Sequence, residues 1–134
     1  MDIDSKRELL EIARKAVMSS TSNGTDDEWS LKNAYPKGCG AFVTLHGPDH
    51  SLRGCIGCLS SDQSLPELIS DMARSSAQRD PRFSPVQAAE VDDLEIEISI
   101  LSQPNQSKHS TKSLLVAMDC WLWVVVHGVF CFPR

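Results

Sequence analysis

Basic residues are too few and too scattered in this sequence to form an obvious nucleic-acid-binding surface. The 13 lysines and arginines are outnumbered by 18 aspartates and glutamates, which gives a formal net charge of −5. Proteins that bind DNA or RNA normally present a basic stripe or patch. The composition therefore argues against a nucleic-acid partner.

Long apolar runs are also missing, apart from the stretch Leu114–Phe132. Asp119, His127 and Gly128 interrupt that stretch, so no unbroken part approaches the ~20 apolar residues that a membrane-spanning helix needs. The N-terminal residues have a polar helical pattern rather than that of a signal peptide. We therefore predict no association with a membrane.

The cysteines lack the pattern of a disulfide framework, because they are five in number and unevenly spaced. One Cys-x-x-Cys pair, Cys55 and Cys58, has no second pair at a spacing that suits zinc. Within a strand the two side chains would also point to opposite faces. The sequence thus predicts reduced thiols in a cytoplasmic protein and no metal site, and it names no cofactor.

The length of 134 residues fits one domain. The spacing of apolar residues predicts its main helices and strands. Capping boxes and helical spacing predict a first helix over about Lys6–Met18 and a second from Leu65 to about Arg79. Ser84–Gln87 is typical of another, short helix start. Strict alternation predicts a strand over Leu94–Ile100, and Trp121–Val126 and Val129–Phe132 have the pattern of a last hairpin.

A β-hairpin is predicted between the first two helices, with strands over Gly40–His46 and Ser51–Leu59. Counted from the turn, its cross-strand pairs would be His46 with Ser51, Thr44 with Arg53, and Phe42 with Cys55. These six residues would share one face, and the other face would hold mostly core residues: Ala41, Val43, Leu45, Leu52 and Ile56. The element order predicts an α+β fold, in which helices pack against an antiparallel or mixed sheet.

The returning strand contains the stretch Leu52–Gly57, which carries a cation, a thiol and two glycines in six positions. Cys55 is a candidate nucleophile, and the alternative is a small packed side chain. Gly54 and Gly57 would let a ligand or another backbone come close. A Cys-His dyad with His46 is not expected, because the predicted register separates the two by roughly 13 Å at ~3.3 Å per residue.

Two arginines form a second candidate constellation with an aspartate. Arg53 and Arg82 could clamp a carboxylate or a phosphate, with Asp80 nearby. Alternatively, Arg82 and Asp80 satisfy each other or cap the second helix. Glu97 could add a carboxylate to the cleft, or it could simply lie on the solvated side of its strand.

Four stretches together resemble the AMMECR domain family: Gly40–His46, Leu52–Gly57, Asp80–Phe83 and Leu94–Ser102. The resemblance implies an α+β fold with an antiparallel sheet and a cleft at the six-residue stretch. It implies no firmly assigned activity, although microbial members resemble components of a system with Memo-type and radical-SAM proteins. A nuclear location is also compatible with the family.

The resemblance weakens in the C-terminal quarter, where the chain stops at Arg134 while family members continue. Residues 1–134 are therefore expected to form a single domain of this type that lacks the C-terminal part. Our main hypothesis is a domain whose cleft at Leu52–Gly57 binds a small anionic ligand, as an enzyme or part of an enzyme system. The alternative is a non-enzymatic module that docks a protein partner on the same face.

Overall fold

A computed structural model of the chain describes residues 2–22 and 29–101. The elements in chain order are helix α1 (Ile3–Thr21), strands β1 (Gly40–His46) and β2 (Leu52–Cys58), helix α2 (Leu65–Gln78), a 3-10 helix (Ala88–Asp93) and strand β3 (Glu95–Leu101). The hairpin predicted from Trp121 to Phe132 lies outside the described residues.

Helix α1 is longer than its sequence pattern predicts, since it begins at Ile3 and ends at Thr21. Asp2 caps its start, because its Oδ1 accepts the backbone N–H of Ser5 at 2.9 Å. At its end, the hydroxyls of Ser20 and Thr21 each donate to the carbonyl three residues back, which satisfies side chains that usually favour turns. The predicted buried stripe is confirmed: Leu9, Ile12, Ala13, Ala16 and Val17.

Helix α2 and the 3-10 helix begin where their capping residues place them. The backbone N–H of Ser64 donates to the carboxylate of Glu67 at 3.0 Å, which confirms the predicted capping box of α2. Gln87 caps the 3-10 helix in the same way, by donating its N–H to Glu90 at 2.7 Å. Helix α2 ends at Gln78, just before the Asp-Pro pair that cannot continue it.

The three strands form one antiparallel sheet in the order β2-β1-β3, which confirms the α+β prediction. Helix α2 lies against β1 and β2, and α1 lies against α2 and β3. The core fills the space between these helices and the sheet, with Ala41, Val43 and Leu45 fully buried. The opposite side of the sheet, called here the outer face, carries Phe42, Thr44, His46, Cys55 and Glu97, all half-buried.

The predicted hairpin register is wrong by one residue at His46, which lies opposite Leu52 rather than Ser51, and by two residues further from the turn. Thr44 lies opposite Cys55 rather than Arg53, and Phe42 lies opposite Gly57. One residue of this shift comes from a longer turn, and the second comes from an irregularity at Arg53, which has no opposite residue between the pairs Leu45–Gly54 and His46–Leu52. A shift of two residues keeps most side chains on the predicted face. Leu52 lies beyond the irregularity and is the exception, since it is exposed rather than in the core.

Candidate functional site

Three polar side chains lie abreast on the outer face, one from each strand. Cys55 of β2 lies opposite Thr44 of β1, which in turn lies opposite Glu97 of β3. The Thr44 Oγ1 and Cys55 Sγ atoms are 3.1 Å apart, within hydrogen-bonding distance for sulfur. We call Cys55, Thr44 and Glu97 the thiol row. It brings the candidate nucleophile into line with Glu97, which the sequence left open as either a site carboxylate or a solvated strand residue.

His46 flanks the thiol row on the same face. Its Nε2 lies 3.2 Å from Glu97 Oε2. The next glutamate on this face of β3, Glu95, has its Oε2 2.9 Å from Nδ1 of His50 in the turn. The corrected register makes His46 a diagonal neighbour of Cys55, at roughly 7–8 Å rather than 13 Å. This separation still exceeds the ~3 Å that direct proton transfer requires.

Arg53 is engaged with its own chain rather than open to a ligand. Its Nε and Nη2 donate to the two carboxylate oxygens of Glu90 at 3.1 and 3.2 Å. Its Nη1 and Nη2 also donate to the carbonyl oxygens of Ser84 and Pro85. The side chain is 18% exposed, and any ligand held by Arg53 would have to displace these contacts. The hydrogen bond from Arg53 also lowers the pKa of Glu90.

Gly54 is required by the packing of helix α2. A Cβ at this position would overlap the backbone carbonyl oxygen of Ser76. The Ser76 hydroxyl accepts the N–H of Ile56 at 2.9 Å and lies 2.7 Å from the carbonyl oxygen of Val43. The glycine thus lets helix α2 approach the strand. The space beside Gly54, predicted to admit a ligand or another backbone, is filled by the backbone of the helix.

Gly57 likewise accommodates the chain itself. A Cβ here would overlap the ring of Phe42 and the carbonyl oxygen of Ala41. Phe42 lies opposite Gly57 in the sheet, so the ring covers the glycine across the two strands. Both glycines of the stretch are therefore explained by contacts within the protein.

Asp80 and Arg82 pair with each other, as in one of the two alternatives predicted from the sequence. Arg82 Nη2 donates to Asp80 Oδ2 at 2.7 Å, and Arg82 Nε donates to Oδ1 at 3.0 Å. Asp80 also accepts the backbone N–H of Cys55 at 3.0 Å. The hydrogen bonds from Arg82, followed by the one from Cys55, hold the pKa of the Asp80 carboxyl far below its usual range.

The three described cysteines differ in their surroundings, and all are free. Cys58 lies opposite Ala41 and contacts the core, whereas Cys55 is on the outer face, so the Cys-x-x-Cys pair is split between two faces as predicted. Cys39 is buried, and burial raises the pKa of its thiol. Among residues 2–22 and 29–101, no group of three or more His, Cys, Asp or Glu side chains is arranged to hold a metal ion.

Sequence reasoning missed two partners that decide what Arg53 and Gly54 do. Glu90 gave no signal beyond its place in a short acidic stretch. Ser76 fell on the predicted inner stripe of helix α2, and a small polar residue on such a stripe is a usable sign of close helix–strand contact.

A cavity of about 450 Å³ lies apart from the thiol row, between α1 and residues 29–33. Glu8 of α1 holds that segment by accepting the N–H of Lys32 at 2.6 Å and the side-chain amide of Asn33 at 2.9 Å. Tyr35 also donates to Glu8, and burial together with this carboxylate raises the pKa of Tyr35 to about 12. The hydrogen bonds lower the pKa of Glu8, with Tyr35 the largest cause.

No helix within the described part of the chain is long and apolar enough to cross a membrane.

Comparison with known proteins places the chain in a family. The AMMECR1 family model matches residues 10–131. A protein of Methanocella arvoryzae is 38% identical over 101 residues, which cover 74% of this chain and 50% of that protein. A protein of Thermotoga maritima is 46% identical over 79 residues, or 58% of this chain and 45% of that protein.

A solved structure supports the same relationship. The crystal structure of the uncharacterized protein PH0010 from Pyrococcus horikoshii shares 35% identity and a TM-score of 0.62, over 70% of this chain and 49% of that one. The chain spans about half the length of the relatives that it matches. Because the family model matches most of the residues, the chain belongs to the AMMECR1 family.

Proposed function

We propose that the outer face of the sheet binds a small ligand, with the Cys55 thiol at the centre of the site. One observation carries the proposal: Cys55, Thr44 and Glu97 lie abreast on the side of the sheet that α1 and α2 leave uncovered, with His46 bound to Glu97. Thiol, hydroxyl, carboxylate and imidazole groups together form a polar site able to orient a small molecule.

The stretch Leu52–Gly57 supports the same conclusion by elimination. Arg53 binds the loop before the 3-10 helix. Gly54 leaves room for the backbone of α2, and Gly57 leaves room for the ring of Phe42. Among the residues that the structure describes, the Cys55 side chain has no comparable packing role, because it points away from the helices and contacts Thr44. The thiol is therefore the part of the stretch that is available for chemistry.

As a nucleophile, Cys55 would form a bond from Sγ to an electrophilic carbon of the ligand while the thiol proton passes to a base. The base nearest in the sheet is the Glu97–His46 pair, and a water or the ligand itself would bridge the gap. Cytoplasmic location and a place beside Memo-type and radical-SAM proteins are parts of this proposal that follow from the free thiols and the family resemblance.

Differential alkylation tests the proposal. The protein is treated with iodoacetamide near pH 7, and labelling of each cysteine is followed by peptide mass spectrometry. We expect Cys55 to react about tenfold faster than the buried Cys39, and clearly faster than Cys58. A Cys55→Ser variant is the control that identifies the fast site.

Uniform slow labelling of Cys39, Cys55 and Cys58 would contradict a reactive ligand site. It would leave the outer face as a docking surface for a protein partner, or Cys55 as a packed residue.

A further inference from the structure

The guanidinium of Arg82 is held beside the residue that carries the thiol. Its Nη2 lies 3.4 Å from the carbonyl oxygen of Cys55, while Asp80 accepts the N–H of that same residue at 3.0 Å. Asp80 and Arg82 thus contact both backbone polar groups of Cys55. This contact ties the Asp-Pro-Arg-Phe stretch to the Cys55 end of the thiol row.

Asp80 fixes the direction in which the Arg82 side chain points. The Asp80 side chain is only 3% exposed, and its two oxygens accept Nε and Nη2 of Arg82 in a fork. The guanidinium carbon also lies 5.3 Å from the centre of the Phe83 ring, which supports it from another side. The arginine is therefore pre-oriented by contacts that involve only part of its donor set.

The remaining part of Arg82 is available to a ligand. The side chain is 55% exposed, and within the described residues its Nη1 group donates to no protein acceptor. Hydrogen bonding to Asp80 is the largest cause that raises the pKa of Arg82. Arg53 offers no such open group on a comparably exposed side chain, since Glu90 and two carbonyls surround it.

We propose that Arg82, oriented by Asp80, forms an anion subsite beside Cys55, and that the ligand of the outer face carries a carboxylate or a phosphate group. This inference rests on the proposed function, because Arg82 would add a cationic group to the ligand site proposed at Cys55. Arg82 would bind the anionic group directly, and Asp80 would act as a positioning residue.

A pair of alkylating reagents that differ in charge tests the subsite. Iodoacetate and iodoacetamide both transfer their methylene carbon to the thiolate sulfur with loss of iodide, but only iodoacetate carries a carboxylate. The measured quantity is the ratio of their rate constants at Cys55, divided by the same ratio at Cys58 in the same molecule. We expect this relative preference to be about three- to tenfold in favour of iodoacetate.

Two arginine variants provide the matched comparison. Arg82→Gln is expected to reduce the preference at Cys55 to the value at Cys58, whereas Arg82→Lys is expected to keep most of it. Arg79→Gln removes the same charge from an exposed neighbouring residue and should leave the preference unchanged. Asp80→Asn should lower it, because Arg82 loses the carboxylate that orients it.

Salt and competing anions complete the test. The preference should fall as ionic strength rises, since an exposed charge is screened over about 10 Å at 0.1 M salt. At constant ionic strength, acetate and inorganic phosphate are compared as protectants of Cys55, and the stronger one identifies the anionic group. If Arg82→Gln does not fold, the wild-type preference and its salt dependence decide the question.

An equal preference at Cys55 and Cys58, or one that a folded Arg82→Gln variant retains, would overturn the subsite. Failure of the proposed function looks different, because Cys55 would then react slowly with neutral iodoacetamide as well.

Discussion

Gly54 and Ser76 show how one missing side chain sets the spacing between a helix and a strand. The carbonyl oxygen of Ser76 occupies the place where any other residue at position 54 would carry its Cβ. The Ser76 hydroxyl then hydrogen-bonds backbone groups of both β1 and β2. The glycine is thus a packing requirement, although its neighbour Cys55 is the candidate reactive residue.

We expect Gly54→Ala to lower the free energy of unfolding by about 1–3 kcal/mol, because an added methyl group must displace helix backbone. Chemical denaturation measures this change. Gly47→Ala is the control, since the nearest atom to its Cβ would be a flexible Asp49 side-chain oxygen at 3.2 Å. The control should stay within about 0.5 kcal/mol of wild type, and equal effects at both positions would contradict the proposed contact.

At the level of elements, two arginines hold the segment that leads into β3. Arg53 of β2 binds Glu90 at the start of the 3-10 helix and the carbonyl of Ser84 before it. Arg14 of α1 donates to the carbonyls of Val91 and Leu94 at 3.0 and 2.8 Å. Residues 84–94 thus depend on side chains from two distant elements.

Arg53→Ala should therefore destabilise the protein by about 1–2 kcal/mol and speed amide hydrogen exchange in residues 84–93. Exchange mass spectrometry and denaturation measure the two effects. A double-mutant cycle with Glu90→Gln should show coupling, because each single change removes the same ion pair. Arg79→Gln is the control with an equal loss of charge. Unchanged stability and exchange in Arg53→Ala would contradict this structural role for Arg53.

Most of these elements could be predicted from sequence, because their signals are local. Helical spacing and the Ser64–Glu67 capping box placed α2, and strict alternation placed β3 within one residue. The register of the hairpin could not be predicted, since no local signal in the sequence marks the longer turn or the irregularity at Arg53. For the same reason, sequence placed Cys55 and Glu97 on exposed faces but could not bring them into one row with Thr44.

For the molecule as a whole, carboxylates that serve as hydrogen-bond acceptors dominate the expected response to acid. Hydrogen bonds lower the pKa values of Glu8, Asp80 and Glu90, with Tyr35, Arg82 and Arg53 respectively as the first cause. A carboxyl with a lowered pKa in the folded state binds fewer protons than in the unfolded chain. Its stabilising effect is present above the unfolded value of about 4 and is lost as the pH falls through the folded value.

We therefore expect the free energy of unfolding to decline between about pH 5 and pH 2, as measured by denaturant titration at each pH. Asp80→Asn should be less stable than wild type at neutral pH. The difference between the two proteins should shrink in acid, because the Asp80 carboxyl of the unfolded wild-type chain binds a proton there and the unfolded state is stabilised. A difference that stays constant from pH 7 to pH 2 would show that the charge of Asp80 contributes nothing to folding.

The tight fit at Gly54 also disfavours a hairpin alignment that is shifted by one residue. If β2 slipped by one residue against β1, the Cys55 side chain would replace Gly54 under helix α2, and its Cβ would collide with the Ser76 carbonyl. A hairpin aligned in this way could not pack helix α2 at the same distance. The glycine thus disfavours a register in which the Cys55 thiol would face the core instead of the outer face.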